Sequence, residues 1–211
     1  MTTETAPRLP APALMLVTDR RLAGSEGALV RAVDEAVTGG VNAVQLREKD
    51  LPLPELVRLA RRLREATAGR ALLVLNTPVE VAMEVGADGV HLPEDAEMLR
   101  RPRPGLIVGR SVHSPVAAVQ AAAEGVDYVV AGPVYRTRSH PGAPPIGAGG
   151  LRQIVSSVQA PVIGIGGITV SNAPAVMGTG AAGVAVISAI LRGADVRAQA
   201  AALWRAVQVA R

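Results

Sequence analysis

Eight short apolar segments, each four to six residues long and rich in Val, Ile, Leu and Ala, recur along the chain. Segments of this length and composition are typical of strands buried in a parallel sheet. The predicted strands span residues 13–17, 41–46, 71–75, 87–91, 106–109, 126–131, 161–165 and 183–187. Apolar positions at helical spacing predict helices over residues 25–37, 53–66, 115–124, 151–158, 170–178 and 195–209, with a short helix from Pro78. The alternation predicts the α/β class.

A repeated pattern narrows the architecture. A glycine that ends a helix, one or two small turn residues and a short apolar strand occur together at residues 40–46, 86–92, 125–131 and 180–186. The copies begin 46, 39 and 55 residues apart, which is about two strand–helix units each. Repetition at every second strand favours a closed (βα)8 TIM barrel. We therefore expect one barrel domain over residues 13–211 after a flexible N-terminal segment, residues 1–12.

Composition excludes several kinds of partner. Apolar residues make up 49% of the chain, but there is no Phe and the aromatic residues are one Trp and two Tyr. Few side chains can therefore stack on nucleic-acid bases, and the net charge of +4 is dispersed among 18 acidic residues. No apolar run is long enough for a bilayer, and the absence of cysteine fits a cytoplasmic protein. Exposed Ala-rich helices would tolerate a homodimer.

A glycine pair lies between the last two predicted strands. Gly166 and Gly167 follow strand 161–165 directly, and Ser188 follows strand 183–187. In a barrel the loops after strands seven and eight frequently bind phosphate through backbone N–H groups. The alternative is an ordinary βαβ unit whose glycines serve only as turns.

Catalytic groups in a barrel come from the C-terminal ends of the strands. The side chains and glycines at these ends or in the adjoining loops are Asp19, Gln45, Arg47, Lys49, Asn76, His91, Ser111, His113, Thr137, Ser139, His140, Gly166, Gly167 and Ser188. The loop 132–150, rich in Gly and Pro, is predicted to face the substrate.

Arg47 and Lys49 lie two residues apart just after a strand, so both can face the mouth of the barrel and hold an anion. Lys49 is the only lysine of the chain, whereas arginine occurs 21 times. The alternative for these cations is a salt bridge with Glu48 or Asp50 on the rim.

The three histidines are the natural candidates for proton transfer near neutral pH. For His91 we expect a structural role, and for His113 and His140 either a structural or a catalytic one. Asp19, Glu94 and Asp95 could hold a hard cation, but no acidic cluster has convincing ligand spacing, so no metal site is predicted.

Several motifs together carry a resemblance to a known family. They are Gln45-Leu-Arg-Glu-Lys, Gly86-Ala-Asp-Gly-Val-His-Leu, Gly109-Arg-Ser-Val-His-Ser, Asp127-Tyr-Val-Val-Ala-Gly-Pro-Val, Pro144-Pro-Ile-Gly and Ile165-Gly-Gly-Ile. Because these motifs occur together and in this order, the chain resembles the thiamine-phosphate synthase/TenI family. The members of this family are (βα)8 barrels that act in thiamine biosynthesis. The synthase branch couples a hydroxymethylpyrimidine diphosphate to a thiazole phosphate and releases pyrophosphate with the help of Mg²⁺. The TenI branch includes a thiazole tautomerase, which moves a proton on carboxythiazole phosphate without a metal.

The resemblance implies roles for particular residues. Gly166, Gly167, Ile187 and Ser188 would hold the thiazole phosphate, and Gln45, Arg47 and Lys49 would hold the pyrimidine diphosphate in a synthase. Asn76, Ser111, Thr137 and Ser139 would complete the substrate site. The resemblance implies a phosphorylated thiazole as the binding partner, and it implies no binding to nucleic acid or to a membrane.

Departures from the synthase motifs favour the tautomerase. Thr77 stands where the synthase motif has a metal-binding Asp, and His140 stands where it has a pyrophosphate-binding Lys. The segment 91–95 is one residue shorter than the synthase motif and contains Pro93. Pro133 occupies the position of the catalytic histidine in the TenI pattern. In a tautomerase, His113 or His140 would therefore have to act as the base. A tautomerase without cofactor is therefore our first expectation. The alternatives are a synthase that holds Mg²⁺ through Glu94 or Asp95, a non-catalytic phosphate-binding regulator, and another phosphate-binding barrel enzyme such as an aldolase or epimerase.

Overall fold

Eight parallel strands close into a barrel in the order β1 to β8, and helices surround it. The structure, a computed structural model, describes residues 7–97, 105–138 and 142–209. The strands are β1 (Ala13–Val17), β2 (Ala43–Leu46), β3 (Leu72–Leu75), β4 (Gly89–Leu92), β5 (Ile107–Val112), β6 (Tyr128–Ala131), β7 (Val162–Ile165) and β8 (Gly183–Val186). The helices are α1 (Arg20–Ala23), α2 (Glu26–Thr38), α3 (Leu53–Thr67), α4 (Val79–Glu84), α5 (Pro115–Ala123), α6 (Gly147–Ser157), α7 (Ala173–Met177), α8 (Ser188–Leu191) and α9 (Val196–Gln208). The predicted TIM barrel is confirmed.

The helices differ from the sequence prediction in four places, one of which is α7, which begins at Ala173 instead of residue 170. Two short helices, α1 and α8, were not expected, since four residues show no periodicity. Helix α6 begins at Gly147 instead of residue 151. Its glycine-rich first turn has low intrinsic helix propensity, but Ile146 packs on the core and its carbonyl accepts a hydrogen bond from the Gly150 N–H.

The barrel interior is filled by a small cluster of inward-facing side chains. The fully or nearly buried members are Ala13, Met15, Val17, Ala43, Val74, Ile107, Tyr128, Val130, Ile163 and Ala185. A larger aliphatic cluster lies between the sheet and the helices. The alternate residues of each strand therefore contribute to two separate cores, as expected for a sheet covered on its outer face and closed on its inner face.

Residues 7–12 lead into β1 without regular secondary structure. Leu9 packs against the interior cluster, and the Asn42 side chain donates a hydrogen bond of 2.9 Å to the Pro12 carbonyl. The flexible segment that we expect over residues 1–12 stays a prediction, and its residues 1–6 lie outside the described residues. No helix among the described residues is long and apolar enough to cross a membrane.

Glycines in the strands make room for larger neighbours inside the barrel. A Cβ on Gly109 would lie 2.1 Å from the Tyr128 ring, and one on Gly183 would lie 2.2 Å from the Ala13 carbonyl oxygen. Because these contacts involve a buried ring and backbone, the neighbours have little room to move.

We therefore expect Gly183→Ala to lower the free energy of unfolding by about 1–3 kcal/mol, since the added methyl group overpacks the sheet. The matched control is Gly149→Ala in α6, where a Cβ would meet nothing within 4 Å. There we expect a gain of about 0.5–1 kcal/mol, because alanine restricts the unfolded chain more than glycine does. Urea denaturation of both variants measures the difference, and equal stabilities would contradict this packing.

Candidate functional site

A cavity of about 420 Å³ lies at the C-terminal mouth of the barrel. Of the predicted site residues, it is lined by Gln45, Arg47, Lys49, Asn76, Ser111, His113, Thr137, Gly166, Gly167, Ile187 and Ser188. The two others, Ser139 and His140, lie outside the described residues. Loop residues 132, 133, 137 and 143 also contact the cavity, in agreement with a substrate-facing loop.

Sequence reasoning missed much of the apolar wall of the cavity, which includes Val17, Val130, Ile165, Ile168 and Ala185. Most of them are inward-facing residues near strand ends. The period-two pattern of the strands could have identified them once the inward face was known.

Gly166 and Gly167 form a tight turn directly after β7. Their φ angles are +99° and +64°, a region that favours glycine. The Gly166 carbonyl accepts the Tyr135 N–H at 3.0 Å, and the Gly167 carbonyl accepts the Asn172 side-chain amide at 3.0 Å. A Cβ on Gly166 would lie 2.6 Å from Cβ of Pro133, and one on Gly167 would lie 2.6 Å from the Arg136 carbonyl oxygen.

The turn leaves backbone donors beside the cavity. Within the described chain, the N–H groups of Gly167 and Ile168 donate no hydrogen bond, and both residues line the cavity. Ser188 lines the neighbouring wall after β8. Successive free N–H groups with an adjacent hydroxyl can bind phosphate oxygens. We call Gly166, Gly167, Ile187 and Ser188 the phosphate cradle.

The turn after β2, residues 47–49, brings two cations to the cavity and is held from the opposite side. The Arg47 N–H donates to the Thr18 hydroxyl at 2.9 Å. The carboxylate of Glu48, whose side chain is 3% exposed, accepts the Arg20 N–H at 2.9 Å and the Arg20 Nη1 at 3.1 Å. Glu48 thus faces away from the cavity, whereas Arg47 and Lys49 line it. We call these three residues the cationic turn.

The rim salt bridges considered for Arg47 and Lys49 do not form among the described residues. Glu48 and Asp50 are instead bound by arginines of α1, with Arg20 Nη2 at 2.6 Å and Arg21 Nη2 at 2.8 Å from Asp50 Oδ2. The hydrogen bond from Arg20 lowers the pKa of Asp50 well below its usual range. The positive charges of the cationic turn therefore remain available to a bound anion.

A neutral polar group forms part of the cavity wall. His91 is 3% exposed, and its Nε2 lies 2.9 Å from the Ser111 hydroxyl. Burial, with the positive charge of Arg47 as the second cause, lowers the pKa of His91 to about 3. The Asn76 side-chain amide donates to the His91 carbonyl at 2.7 Å. His91 is therefore an uncharged imidazole that is hydrogen-bonded within the fold and also lines the cavity, and its structural role stays a prediction.

The segment after β4 supplies the carboxylates of the cavity. Glu94 Oε2 accepts the His113 backbone N–H at 2.6 Å and lies 2.8 Å from His113 Nδ1. Asp95 also lines the cavity, and no described residue hydrogen-bonds to its carboxylate. We call residues 93–97 the carboxylate segment.

Asp19, a considered metal ligand, and Thr77, which stands where the synthase motif has a metal-binding Asp, do not line the cavity. Asp19 caps α1 by accepting the N–H groups of Arg21 and Leu22. The Thr77 hydroxyl donates to the Pro78 carbonyl at 3.2 Å. Among the described residues, no three His, Asp or Glu side chains are grouped so that they could hold a metal ion by themselves.

The buried imidazole generates a prediction about stability. In the unfolded chain His91 takes up a proton below its ordinary pKa of about 6.5, whereas the folded chain does not until about pH 3. His91 therefore lowers the free energy of unfolding as the pH falls from about 6.5 towards 3, and adds no pH dependence above that window. Urea denaturation should show a weaker loss of stability below pH 6.5 for His91→Gln than for the wild type. Parallel pH profiles would contradict the neutral, buried imidazole.

Comparison with known proteins identifies the family of the chain. The family described as thiamine monophosphate synthase matches residues 14–190. The thiamine-phosphate synthase of Roseiflexus castenholzii is 45% identical over 194 residues, which cover 89% of this chain and 85% of that protein. The thiamine-phosphate synthase of Pyrococcus furiosus is 44% identical over 188 residues, covering 87% of this chain and 89% of that protein.

A solved structure gives the same relationship. Thiamine phosphate pyrophosphorylase from Pyrococcus furiosus superposes with a TM-score of 0.85 at 40% identity, covering 94% of this chain and 96% of that one. The chain therefore belongs to the thiamine monophosphate synthase family and is an enzyme of thiamine biosynthesis.

Proposed function

We propose that the chain is a thiamine-phosphate synthase, a transferase that couples hydroxymethylpyrimidine diphosphate to a thiazole phosphate and releases pyrophosphate. The observation that supports the proposal is that two separate sets of groups capable of binding an anion line one cavity. The phosphate cradle follows β7 and β8, the cationic turn follows β2, and β1 lies between them in the barrel order. The relatives named thiamine-phosphate synthase support the transferase over the tautomerase that the motif departures favoured.

Each anion-binding group suits one substrate. The cradle offers backbone N–H groups and one hydroxyl, which suit the single phosphate of the thiazole. The cationic turn offers two full charges, which suit the more highly charged diphosphate. A site that holds both substrates brings the reacting atoms together and converts a bimolecular reaction into an effectively unimolecular one.

The apolar walls of the cavity and the cationic turn would contribute to the chemistry in different ways. Coupling forms a bond between the thiazole nitrogen and the methylene carbon of the pyrimidine, while the bond from that carbon to the diphosphate oxygen breaks. Water competes for the same carbon, and the apolar side chains of Val130, Ile165 and Ile168 reduce its access. Arg47 and Lys49 stabilise the charge that develops on the departing diphosphate.

The carboxylates at the cavity fit Mg²⁺. Mg²⁺ is commonly held by one or two carboxylates together with substrate phosphate oxygens and water, so a large protein ligand cluster is not required. Asp95 has no described partner, and Glu94 already accepts two contacts from His113, so Asp95 would be the principal ligand and Glu94 the secondary one. When bound, Mg²⁺ would neutralise part of the charge on the leaving diphosphate.

The tautomerase remains a second candidate because of one observation. His113 Nδ1 lies 2.8 Å from Glu94 Oε2 at the edge of the cavity, and a carboxylate-oriented imidazole is a common general base. This candidate needs the phosphate cradle but leaves the cationic turn without a diphosphate.

A paired assay distinguishes the two candidates. One reaction contains hydroxymethylpyrimidine diphosphate, thiazole phosphate and Mg²⁺, and the other contains the carboxythiazole phosphate tautomer without metal. We expect thiamine phosphate in the first reaction and its loss on adding EDTA. We expect Asp95→Asn to lower kcat/KM on the order of 100-fold, since one charged ligand of the metal is lost.

The matched control is Glu97→Gln, an exposed carboxylate of the same segment that does not line the cavity. We expect kcat/KM of this variant to remain within about twofold of the wild type, since the lost charge is solvated. Turnover of the tautomer alone would contradict the transferase, and full coupling activity of Asp95→Asn would contradict the assigned ligand.

A further inference from the structure

The carboxylate segment is fixed to the neighbouring strand by two contacts that flank Asp95. On one side Glu94 accepts the backbone N–H of His113 at 2.6 Å, just after β5. On the other side the Ala96 carbonyl accepts Nη2 of Arg110 at 2.8 Å. Asp95 therefore lies between two anchored residues, while its own carboxylate has no described partner.

Arg110 is in an unusual position for a charged residue. It lies within β5, directly beside Leu92 of β4 in the strand register, and its neighbour Ser111 lines the cavity. Because side chains alternate along a strand, Arg110 points outward into the layer between sheet and helices. That layer is mostly aliphatic, yet the Arg110 side chain is only 6% exposed.

The hydrogen bonds and the ion pair of the Arg110 guanidinium do not fully offset the cost of burying its charge. Nη1 lies 2.7 Å from Glu124 Oε2, but Glu124 is 38% exposed. Nε is buried and has no hydrogen-bond partner among the described residues. A buried charge that lacks full compensation contributes little to stability, and an aliphatic residue of similar volume often serves packing as well or better. Packing therefore does not explain the charge, whereas the hydrogen bond to Ala96 is one that an aliphatic side chain cannot make.

We propose that Arg110 is a positioning residue for the cation site: through the Ala96 carbonyl it holds Asp95 at the cavity, where it meets the metal-bearing diphosphate. This inference rests on the proposed function, since the metal and the diphosphate belong to the synthase reaction. In this proposal an outward-facing residue of β5 orients a metal ligand on the adjacent loop. Residues that orient metal ligands in this way typically contribute about 10–100-fold to metal affinity.

The test compares Arg110→Met, Arg110→Lys and a matched control, Arg64→Met. Arg64 also forms an ion pair on the outer side of the barrel, 2.7 Å from Asp88, but neither residue lines the cavity. Hydrogen–deuterium exchange of a peptide containing residues 93–97 measures the anchoring. Calorimetric titration with inorganic pyrophosphate, with and without Mg²⁺, measures the affinity of the site for pyrophosphate without requiring turnover.

We expect faster exchange of the carboxylate segment in Arg110→Met and about a tenfold weaker binding of pyrophosphate in the presence of Mg²⁺. Binding without Mg²⁺ should be unchanged, because it depends on the cationic turn. Arg110→Lys should restore part of the affinity, and Arg64→Met should match the wild type in both measurements. If Arg110→Met does not fold, Arg110→Lys against the wild type gives the same comparison with a smaller difference.

Unchanged exchange of the segment in the Arg110 variants would overturn the proposal, as would equal losses of affinity with and without Mg²⁺. A wild-type chain that binds pyrophosphate no more tightly with Mg²⁺ than without it would overturn the proposal together with the metal site. A wild-type chain that shows the Mg²⁺ effect and the predicted response of the variants, but forms no thiamine phosphate, would contradict the proposed function alone.

Discussion

Closure of eight short strands around a narrow interior is the constraint on which the rest of the structure depends. The largest side chain of the interior cluster is Tyr128, and its ring fits because Gly109 beside it has no side chain. Burial raises the pKa of the Tyr128 hydroxyl, so the group stays neutral inside the barrel. Because the interior is filled, the concave space lies at the mouth, where the strand ends and their loops determine the chemistry.

The charges around the mouth are arranged so that the cations facing the cavity remain available. Arg20 and Arg21 neutralise from outside Glu48 within the cationic turn and Asp50 next to it, and Thr18 fixes the turn itself. On the β4 side the arrangement is reversed. Contacts on both sides of Asp95 hold the carboxylate segment, and the Asp95 carboxylate itself has no described hydrogen-bond partner. Preorganised charges of this kind stabilise a departing anion at low reorganisation cost, and electrostatic preorganisation is usually a large part of catalysis.

Sequence patterns predicted all eight strands and most of the polar residues that line the cavity, because strand ends in a closed barrel must meet at one mouth. They could not predict that Glu48 pairs with Arg20, 28 residues away, or that Glu94 binds His113, since nothing local specifies such partners. The same limit explains the preference for the tautomerase. Single departures such as Thr77 appeared decisive, whereas Asp95 brings another carboxylate to the cavity in space, and similarity over nearly the whole chain supports the synthase.

The central claim is that one cavity holds two anions in different places. A crystal structure of the protein with thiamine phosphate, inorganic pyrophosphate and Mg²⁺ tests it most directly. The account predicts the phosphate of thiamine phosphate at Gly167 and Ser188, and pyrophosphate between Arg47, Lys49 and Asp95. Both anions on the same side of the cavity, or pyrophosphate bound away from Arg47 and Lys49, would contradict it.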